Sequence, residues 1–594
     1  MKRTLILISI AIYSLSGCAG FGSQVETAAT VDSTTSHIVQ AQSLAAAKAA
    51  VQSVDGRVTH ELGVIRAVAA DLTDRQVAEL RSRDGIRRIY DNGAVETAAK
   101  GGKKTTDNST TDPTTDTSTD TGTTTTTGSA TDTYYTTLIN GDAVHAMGID
   151  GSGVGIAVLD TGLWKHNGIK YDAAGNVRID AVYNAITDTV AISPLSGDDP
   201  AGHGSHVASI AVSSLMTDDG TARYNGVAPG AHLVSVQAFG GNGQGTYADV
   251  IRAIDWIVAN RNKYKIRIIN ASFSAEPRSH YWDDPINQAI MVAWQNEIFV
   301  VTAAGNRGPA PMTIGVPGNV PYVMTVGALT DNFTPGDGSD DELASFSSTG
   351  PTVEGFIKPE VVAPGGHMRG LVQSNSTLAG SYPEYYDGEY FEMSGTSQAA
   401  AVVSGIAALV LQAEPWRSVD ELKCKIMSAA KPATYYSRGK ENLAYSVFQQ
   451  GAGMVDAYLA VTNPTVDCAN NGLHIDNDID GVQHFGGPAN QQTDGTYHVR
   501  GNLDSKETGY AWNGSYAESN GYLWTDGYLW TDAYLWTDAY LWTDGVGTNG
   551  YLWTDGYLWT DGYLWTDAYL WTDAYLWTDS LTEMATMSSW VDPE

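Results

Sequence analysis

Cysteine is nearly absent: three among 594 residues. That excludes a disulfide-dense scaffold. Positive charge is scarce too. Lys and Arg number 34 against 67 Asp and Glu, giving a formal net charge of -33. Nucleic-acid binding needs a basic face and is excluded. Charged residues of both signs reach only 17%, which suits a soluble, non-sticky exterior. Long apolar runs are also lacking. Apart from Leu5 to Leu15, which is too short for a comfortable span, no run approaches 18 residues, so nothing else is expected to cross a bilayer. Gly (63) and Tyr (31), by contrast, are plentiful, with 16 Trp. The length exceeds one typical core, so several segments are expected.

The N-terminus reads as an export signal, residues 1–17, with Lys2 and Arg3 before the short apolar run. Leu15-Ser16-Gly17-Cys18 resembles a bacterial lipobox. It implies cleavage before Cys18, lipid on that residue, and a cell-envelope lipoprotein tethered by residues 18–35. Ala19 rather than Asp follows, which favours outer-membrane sorting where a cell has one. Residues 36–98 read as a small α+β unit. A helix is expected near Ser43 to Val51, and strands at Gly56 to Thr59, Val64 to Ala69 and Ile86 to Tyr90. A second helix between Leu72 and Gly85 carries a capping box, Thr73 with Gln76, and a Leu72–Val77 staple, with Gly85 as its stop. Residues 99–134 are nearly all Thr, Asp, Ser and Gly, a solvated linker.

From residue 135 to 463 apolar runs alternate with amphipathic stretches. Val154 to Leu159, Leu233 to Ala238, Ile266 to Phe273, Ile298 to Ala303 and Tyr322 to Val326 read as strands. His203 to Ser213, Tyr247 to Ala259, Ser397 to Gln412 and Ser418 to Ser428 read as helices. Continuous apolar strands between helices predict an α/β fold, a parallel sheet covered by helices on both faces. Residues 464–520 read as a polar linker. In residues 521–579 Tyr-Leu-Trp-Thr-Asp occurs nine times, with period six and one break at Gly545 to Gly550, before a tail at 580–594. Stacked short strands and an irregular tail wrapped on the body both fit that period.

Three segments carry the chemistry: Leu159-Asp160-Thr161-Gly162, Gly202-His203-Gly204-Ser205-His206, and Ser394-Gly395-Thr396-Ser397-Gln398. An Asp, a His and a Ser in Gly-rich settings suit nucleophilic acyl transfer. The other Asp-Thr-Gly, Asp120-Thr121-Gly122, lies in the Thr/Asp linker rather than at the end of an apolar run, against a carboxylate dyad, and no His-Glu-x-x-His accompanies the His pair, against a catalytic metal. Asn306, in Ala303-Ala304-Gly305-Asn306, follows an apolar strand.

With these residues in this order the chain resembles the subtilisin-like serine peptidases of the S8 family over residues 135–463. The resemblance implies Asp160, His203 and Ser397 as the catalytic triad, His206 in packing, and Asn306 as an oxyanion donor. It assigns Asn270-Ala271-Ser272-Phe273-Ser274 and Gly243-Gln244-Gly245 to substrate binding, through Ser272, Phe273, Ser274, Gly243 and Gly245. Residues 36–98 resemble the ferredoxin-like propeptide of this family, folding aid and inhibitor, cut within Gly93 to Lys104. Phe346 to Pro351 and Lys358 to Gly365 match scaffold motifs of the family. Two positions depart from its pattern: Ser205 stands for the usual Thr, and Ala401 for the usual Pro. No cofactor is required. A structural calcium ion fits the family, and Asp476 to Gly481 resembles the start of a calcium loop, but position twelve is Gly487 rather than Glu, so a solvated acidic turn is expected there. Cys424 and Cys468 are candidates for a disulfide. Protein or peptide substrates, the chain's own propeptide and a membrane reached through the lipid are the partners implied. A second reading, from another class, is an envelope binding protein that displays the aromatic repeats.

Overall fold

The structure is a computed structural model. It describes residues 33–96, 133–217, 221–332, 334, 340–437, 440–466, 469–491, 494–500 and 508–515. The export signal, Cys18, Cys468, the repeats, the C-terminal tail and all but the end of the Thr/Asp linker lie outside them.

The small unit is a four-stranded antiparallel sheet in the order Arg57–Leu62, Ala67–Leu72, Thr35–Ala41, Ile86–Asp91. Helices Leu44–Gln52 and Asp74–Arg81 complete a β-α-β-β-α-β succession. The capping box forms as read: Thr73 N–H donates to Gln76 Oε1 (2.8 Å) and Gln76 N–H to Thr73 Oγ1 (3.3 Å). Leu72, Val77 and Leu80 pack with Val39, Val51 and Val68. The details differ in three places. The first strand, Thr35–Ala41, went unread and begins ahead of the expected boundary. It is an inner strand, flanked by two others, so its run lacks the alternation that marks an edge. The second strand runs on to Leu62, and the third starts later than expected, because residues Gly63–Ile65 form a 3₁₀ turn ending on Arg66 at φ 58°. The second helix stops at Arg81, and Gly85, at φ 90°, makes the turn into the last strand instead.

The body is built on a nine-stranded sheet. Its path runs Glu342–Leu343, Met324–Thr330, Phe299–Ala303, Ile266–Ala271, Gly155–Asp160, His232–Gln237, Ile179–Asn184, Thr189–Val190, and Val361–Pro364 also pairs with Met324–Thr330. The inner pairs are parallel, and the terminal strands Glu342–Leu343 and Thr189–Val190 run antiparallel, so the sheet is mixed at its edges. Gly155–Asp160 and Phe299–Ala303 are buried at every position, as strands covered on both faces must be. Helix Thr396–Ala413 packs across the central strands and against helix His203–Val212. It is long and apolar enough to cross a membrane, but it is a core helix, 89% buried inside the body. Helices Tyr247–Asn260 and Pro285–Gln295 pack on each other and carry the small unit. Strand Ile179–Asn184 and helix Pro285–Gln295 were not anticipated, although Asp284, capping Ile286 and Asn287, and Pro285 at the first position are ordinary helix-start signals.

Residues 464–520 are not a plain linker. Ile475–Asp480 is a helix, and Ala489–Gln491, Tyr497–Arg500 and Thr508–Trp512 form a three-stranded sheet. Tyr497, Val499 and Trp512 bury themselves against Val447 and Phe448 of the body. The acidic run is a short helix with Asp476 and Asp480 exposed, as a solvated segment requires, but its middle Asp fits neither a solvated turn nor a calcium loop. Asp478 is buried and accepts from the hydroxyls of Tyr281 (2.8 Å) and Tyr322 (2.6 Å) and faces His484 Nδ1 at 2.9 Å. Its oxygens are thereby committed to organic donors, which does not fit a cation ligand. Among the described residues no three His, Cys, Asp or Glu side chains are grouped to hold a metal ion. Cys424 is buried.

Candidate active site

The expected residues gather at the carboxyl ends of neighbouring parallel strands, where sites form in open α/β sheets. Asp160 is the last residue of its strand, Ser272 follows Ile266–Ala271, and Asn306 lies three residues beyond Phe299–Ala303. His203 and Ser397 come from the first turns of two packed helices.

His203 Nδ1 lies 2.7 Å from Asp160 Oδ1. A carboxylate only accepts, so Nδ1 carries the hydrogen and Nε2 is left as the basic nitrogen. Both side chains are buried. Thr161 N–H also donates to Asp160 Oδ1 (2.8 Å), fixing the carboxylate. Burial pulls the His203 pKa down, but the attraction and hydrogen bond of Asp160, with the charge of Asp199, outweigh it and leave it raised above 6.5. His203 Nε2 is buried with no protein partner.

Ser397 Oγ donates to the Ser272 carbonyl (3.0 Å), and Ser272 Oγ donates to the Ser397 carbonyl (2.9 Å). The serine is therefore pinned to the end of the Ile266–Ala271 strand rather than hydrogen-bonded to His203. Its own N–H belongs to the first helical turn, where amides have no intrahelical acceptor. Asn306 Oδ1 accepts from Thr396 N–H (3.0 Å) and Thr396 Oγ1 (2.9 Å). Both are donors, so the amide orientation follows, and Nδ2, buried and unpartnered, is the atom left for a ligand. Ala401 is buried within the helix, and unlike proline it keeps a backbone N–H in that turn.

His206 stays out of the chemistry. Its Nε2 faces the carbonyls of Phe391 (2.9 Å) and Met368 (3.1 Å), so it donates there, while Gln398 Nε2 reaches Nδ1 at 3.4 Å. Burial, then the neighbouring His203, push its pKa down to about 3. Sequence reading missed Asp199. It is fully buried and accepts from Gly202 N–H, Ser205 N–H, Ser205 Oγ and Thr161 Oγ1. Burial raises its pKa despite these four donors. An Asp four residues ahead of His203 was the available signal.

Of the other expected residues, Phe273 is buried against Phe239, with ring centroids 5.6 Å apart, so only its backbone is free to meet a substrate. Gly243 turns at φ 74°, and Gly245 lies in the short strand Gln244–Thr246. That strand pairs antiparallel with Ala94–Glu96, the end of the small unit: Gln244 with Glu96, Gly245 with Val95, Thr246 with Ala94. A Cβ on Gly245 would lie 2.3 Å from the Ala238 carbonyl, which explains the glycine. The expected scaffold motifs brace this region. Ser348 N–H donates to the Gly305 carbonyl (2.9 Å), and Ser348 Oγ accepts from Arg307 N–H (3.1 Å). Lys358 and Lys423 share the buried Glu360 at 2.6 and 2.9 Å.

The fold and this grouping of residues are those of a subtilisin-like serine peptidase. The subtilase family model matches residues 151–453, about half of the chain, and the chain belongs to that family. Serine protease AprX of Bacillus subtilis is 38% identical over 281 residues, which are 46% of this chain and 60% of that protein. Subtilisin DY of Bacillus licheniformis is 30% identical over 319 residues, 53% of this chain and 97% of that protein. The crystal structure of fervidolysin from Fervidobacterium pennivorans, described as a keratinolytic enzyme related to subtilisin, superposes with a TM-score of 0.51 at 22% identity, covering 73% of this chain and 61% of that one. At that identity the likeness speaks for the fold.

Proposed function

We infer that the chain is an exported serine endopeptidase made as an inactive precursor. The observation that carries the reading is the pair of buried, unpartnered atoms His203 Nε2 and Asn306 Nδ2, one held by Asp160 and the other aimed by Thr396. Ser397 Oγ leaves the Ser272 carbonyl, gives its proton to His203 Nε2 and attacks the scissile carbonyl carbon. The oxygen, now negative, is held by Asn306 Nδ2–H and the Ser397 N–H. Asp160 keeps the tautomer and stabilises the imidazolium. Collapse expels the amine, which takes the proton back from Nε2, and water repeats the sequence on the acyl-enzyme. Membership of the subtilase family agrees with the peptidase part of this reading.

Residues 36–98 serve as propeptide and inhibitor: strand Ala94–Glu96 occupies the edge, Gln244–Thr246, that an extended substrate would use. Cys18 anchors the protein to the envelope, and the aromatic repeats add a binding or packing surface. The test is the full chain with Ser397→Ala. Peptide hydrolysis and the self-cut should both disappear, and activity that persists in a pure preparation would refute the assignment.

A further inference from the structure

Ser274 lies two residues beyond Ser272, the residue that holds the nucleophile. It faces two glycines. A Cβ built on Gly315 would fall 1.9 Å from Ser274 Oγ, and one built on Gly305 would fall 2.7 Å from the same atom. The hydroxyl therefore sits over the bare Cα faces of both. Ser274 is 5% exposed. The surroundings are fixed. Ala275 and Val316 exchange two backbone hydrogen bonds (2.9 and 2.8 Å), and Gly315 N–H donates to the Ala304 carbonyl (3.0 Å). The two segments cannot easily spread to make room.

Ser272 holds Ser397 Oγ, and Gly305 N–H donates to Thr396 Oγ1 (3.2 Å), so Ser272–Ala275 and Ala304–Gly305 both lie against the turn that carries the nucleophile. With the scissile oxygen on Asn306 Nδ2 and the acyl strand along Gln244–Thr246, the side chain of the residue that supplies the scissile carbonyl would enter between these two segments. The Ser274 hydroxyl occupies the space that Gly305 and Gly315 leave there.

We propose that Ser274 is the specificity-determining residue of this peptidase, a stop that restricts the residue before the cut to small side chains such as Ala, Ser or Thr. This rests on the peptidase reading above. The chain's own sequence agrees: directly after the paired strand Ala94–Glu96 it reads Thr97-Ala98-Ala99-Lys100.

The test uses the full chain, allowed to mature, with peptide anilides Ala-Ala-Pro-Xaa that differ only in Xaa. With Xaa as Ala, kcat/KM should exceed that for Phe by about 10- to 100-fold, the range a misfit of a few carbons commands. Ser274→Gly should raise the Phe rate by a similar factor and so narrow the Ala-to-Phe ratio. Equal rates for Ala and Phe in the unaltered protein, or an unchanged ratio in Ser274→Gly, would overturn the proposal. A second readout needs no variant: the mature N-terminus should begin at Ala98, Ala99 or Lys100, and a cut after Lys100, Lys103 or Lys104 would overturn it. Hydrolysis of none of the anilides, together with no labelling of Ser397 by a phosphonate, would instead remove the peptidase reading beneath it.

Discussion

Ser205 gives both its backbone N–H (2.7 Å) and its hydroxyl (2.6 Å) to one oxygen of Asp199, Oδ2. The same hydroxyl accepts from Trp164 N–H (2.8 Å), while Asp199 Oδ1 takes Gly202 N–H and the Thr161 hydroxyl. One buried carboxylate thus ties the turn after Asp160 to the helix start that carries His203. Ser205 retains the hydroxyl on which this arrangement depends, so the exchange for Thr costs only a methyl group.

Asp199→Ala should therefore lower stability and activity together. It leaves two backbone amides and two hydroxyls without their acceptor, at about 1–3 kcal/mol for each group that stays buried and unsatisfied. Thermal unfolding in a Ser397→Ala background, which prevents self-digestion, should show a loss of at least about 3 kcal/mol. An unchanged midpoint would remove Asp199 from the account.

Asn306→Ala should reduce kcat by about 10²- to 10³-fold with little change in KM, because its Nδ2 meets the oxygen only as negative charge develops. Steady-state kinetics on one peptide substrate decide this. A rise in KM at constant kcat would mark Asn306 as a ground-state contact instead.

The acid limb of kcat/KM should titrate above pH 6.5. His203 is raised by Asp160, and only its neutral form accepts the Ser397 proton. Activity should rise with pH through that value, and Asp160→Asn should cut kcat by about 10⁴-fold. The stability effect runs in the opposite direction. A raised His203 pKa favours the folded state fully below pH 6.5, and that contribution is lost as pH rises through the folded-state value. A limb centred below pH 6.5 would contradict the Asp160–His203 geometry.

His206 has the reverse signature. Its folded pKa is pushed down to about 3, so its contribution is present above pH 6.5 and lost as pH falls from there toward 3. Each unit of that shift is about 1.4 kcal/mol. Urea unfolding at pH 7 and pH 4.5, in the Ser397→Ala background, should show the loss. His206→Gln, which keeps a donor for the Phe391 and Met368 carbonyls, should show a smaller one.

Legibility in the sequence followed the kind of force involved. Strand Gly155–Asp160 and helix Thr396–Ala413 are fully or almost fully buried, so their apolar runs announced them within a residue. The Thr73–Gln76 capping box is local and was read from two letters. Residues joined through space left no such trace. Asp199 reads as a loop acid until the fold encloses it. Tyr281 and Tyr322 meet Asp478 across more than 150 positions of sequence, which is why one residue of an acidic run that reads as solvated is buried. The sheet at 489–512 was missed because its core depends on Val447 and Phe448 of the body rather than on its own polar sequence. Ser274 was placed among the substrate-binding residues, but its opposition to Gly305 and Gly315 needed coordinates.

The central claim is that Ser397 is the nucleophile. It is tested most directly by treating the matured full chain with a fluorophosphonate and mapping the adduct by peptide mass spectrometry. The account predicts one adduct, on Ser397, formed in step with loss of peptide hydrolysis and absent when His203 is replaced by Ala. An adduct on another serine, or hydrolysis that continues after Ser397 is fully modified, would contradict it.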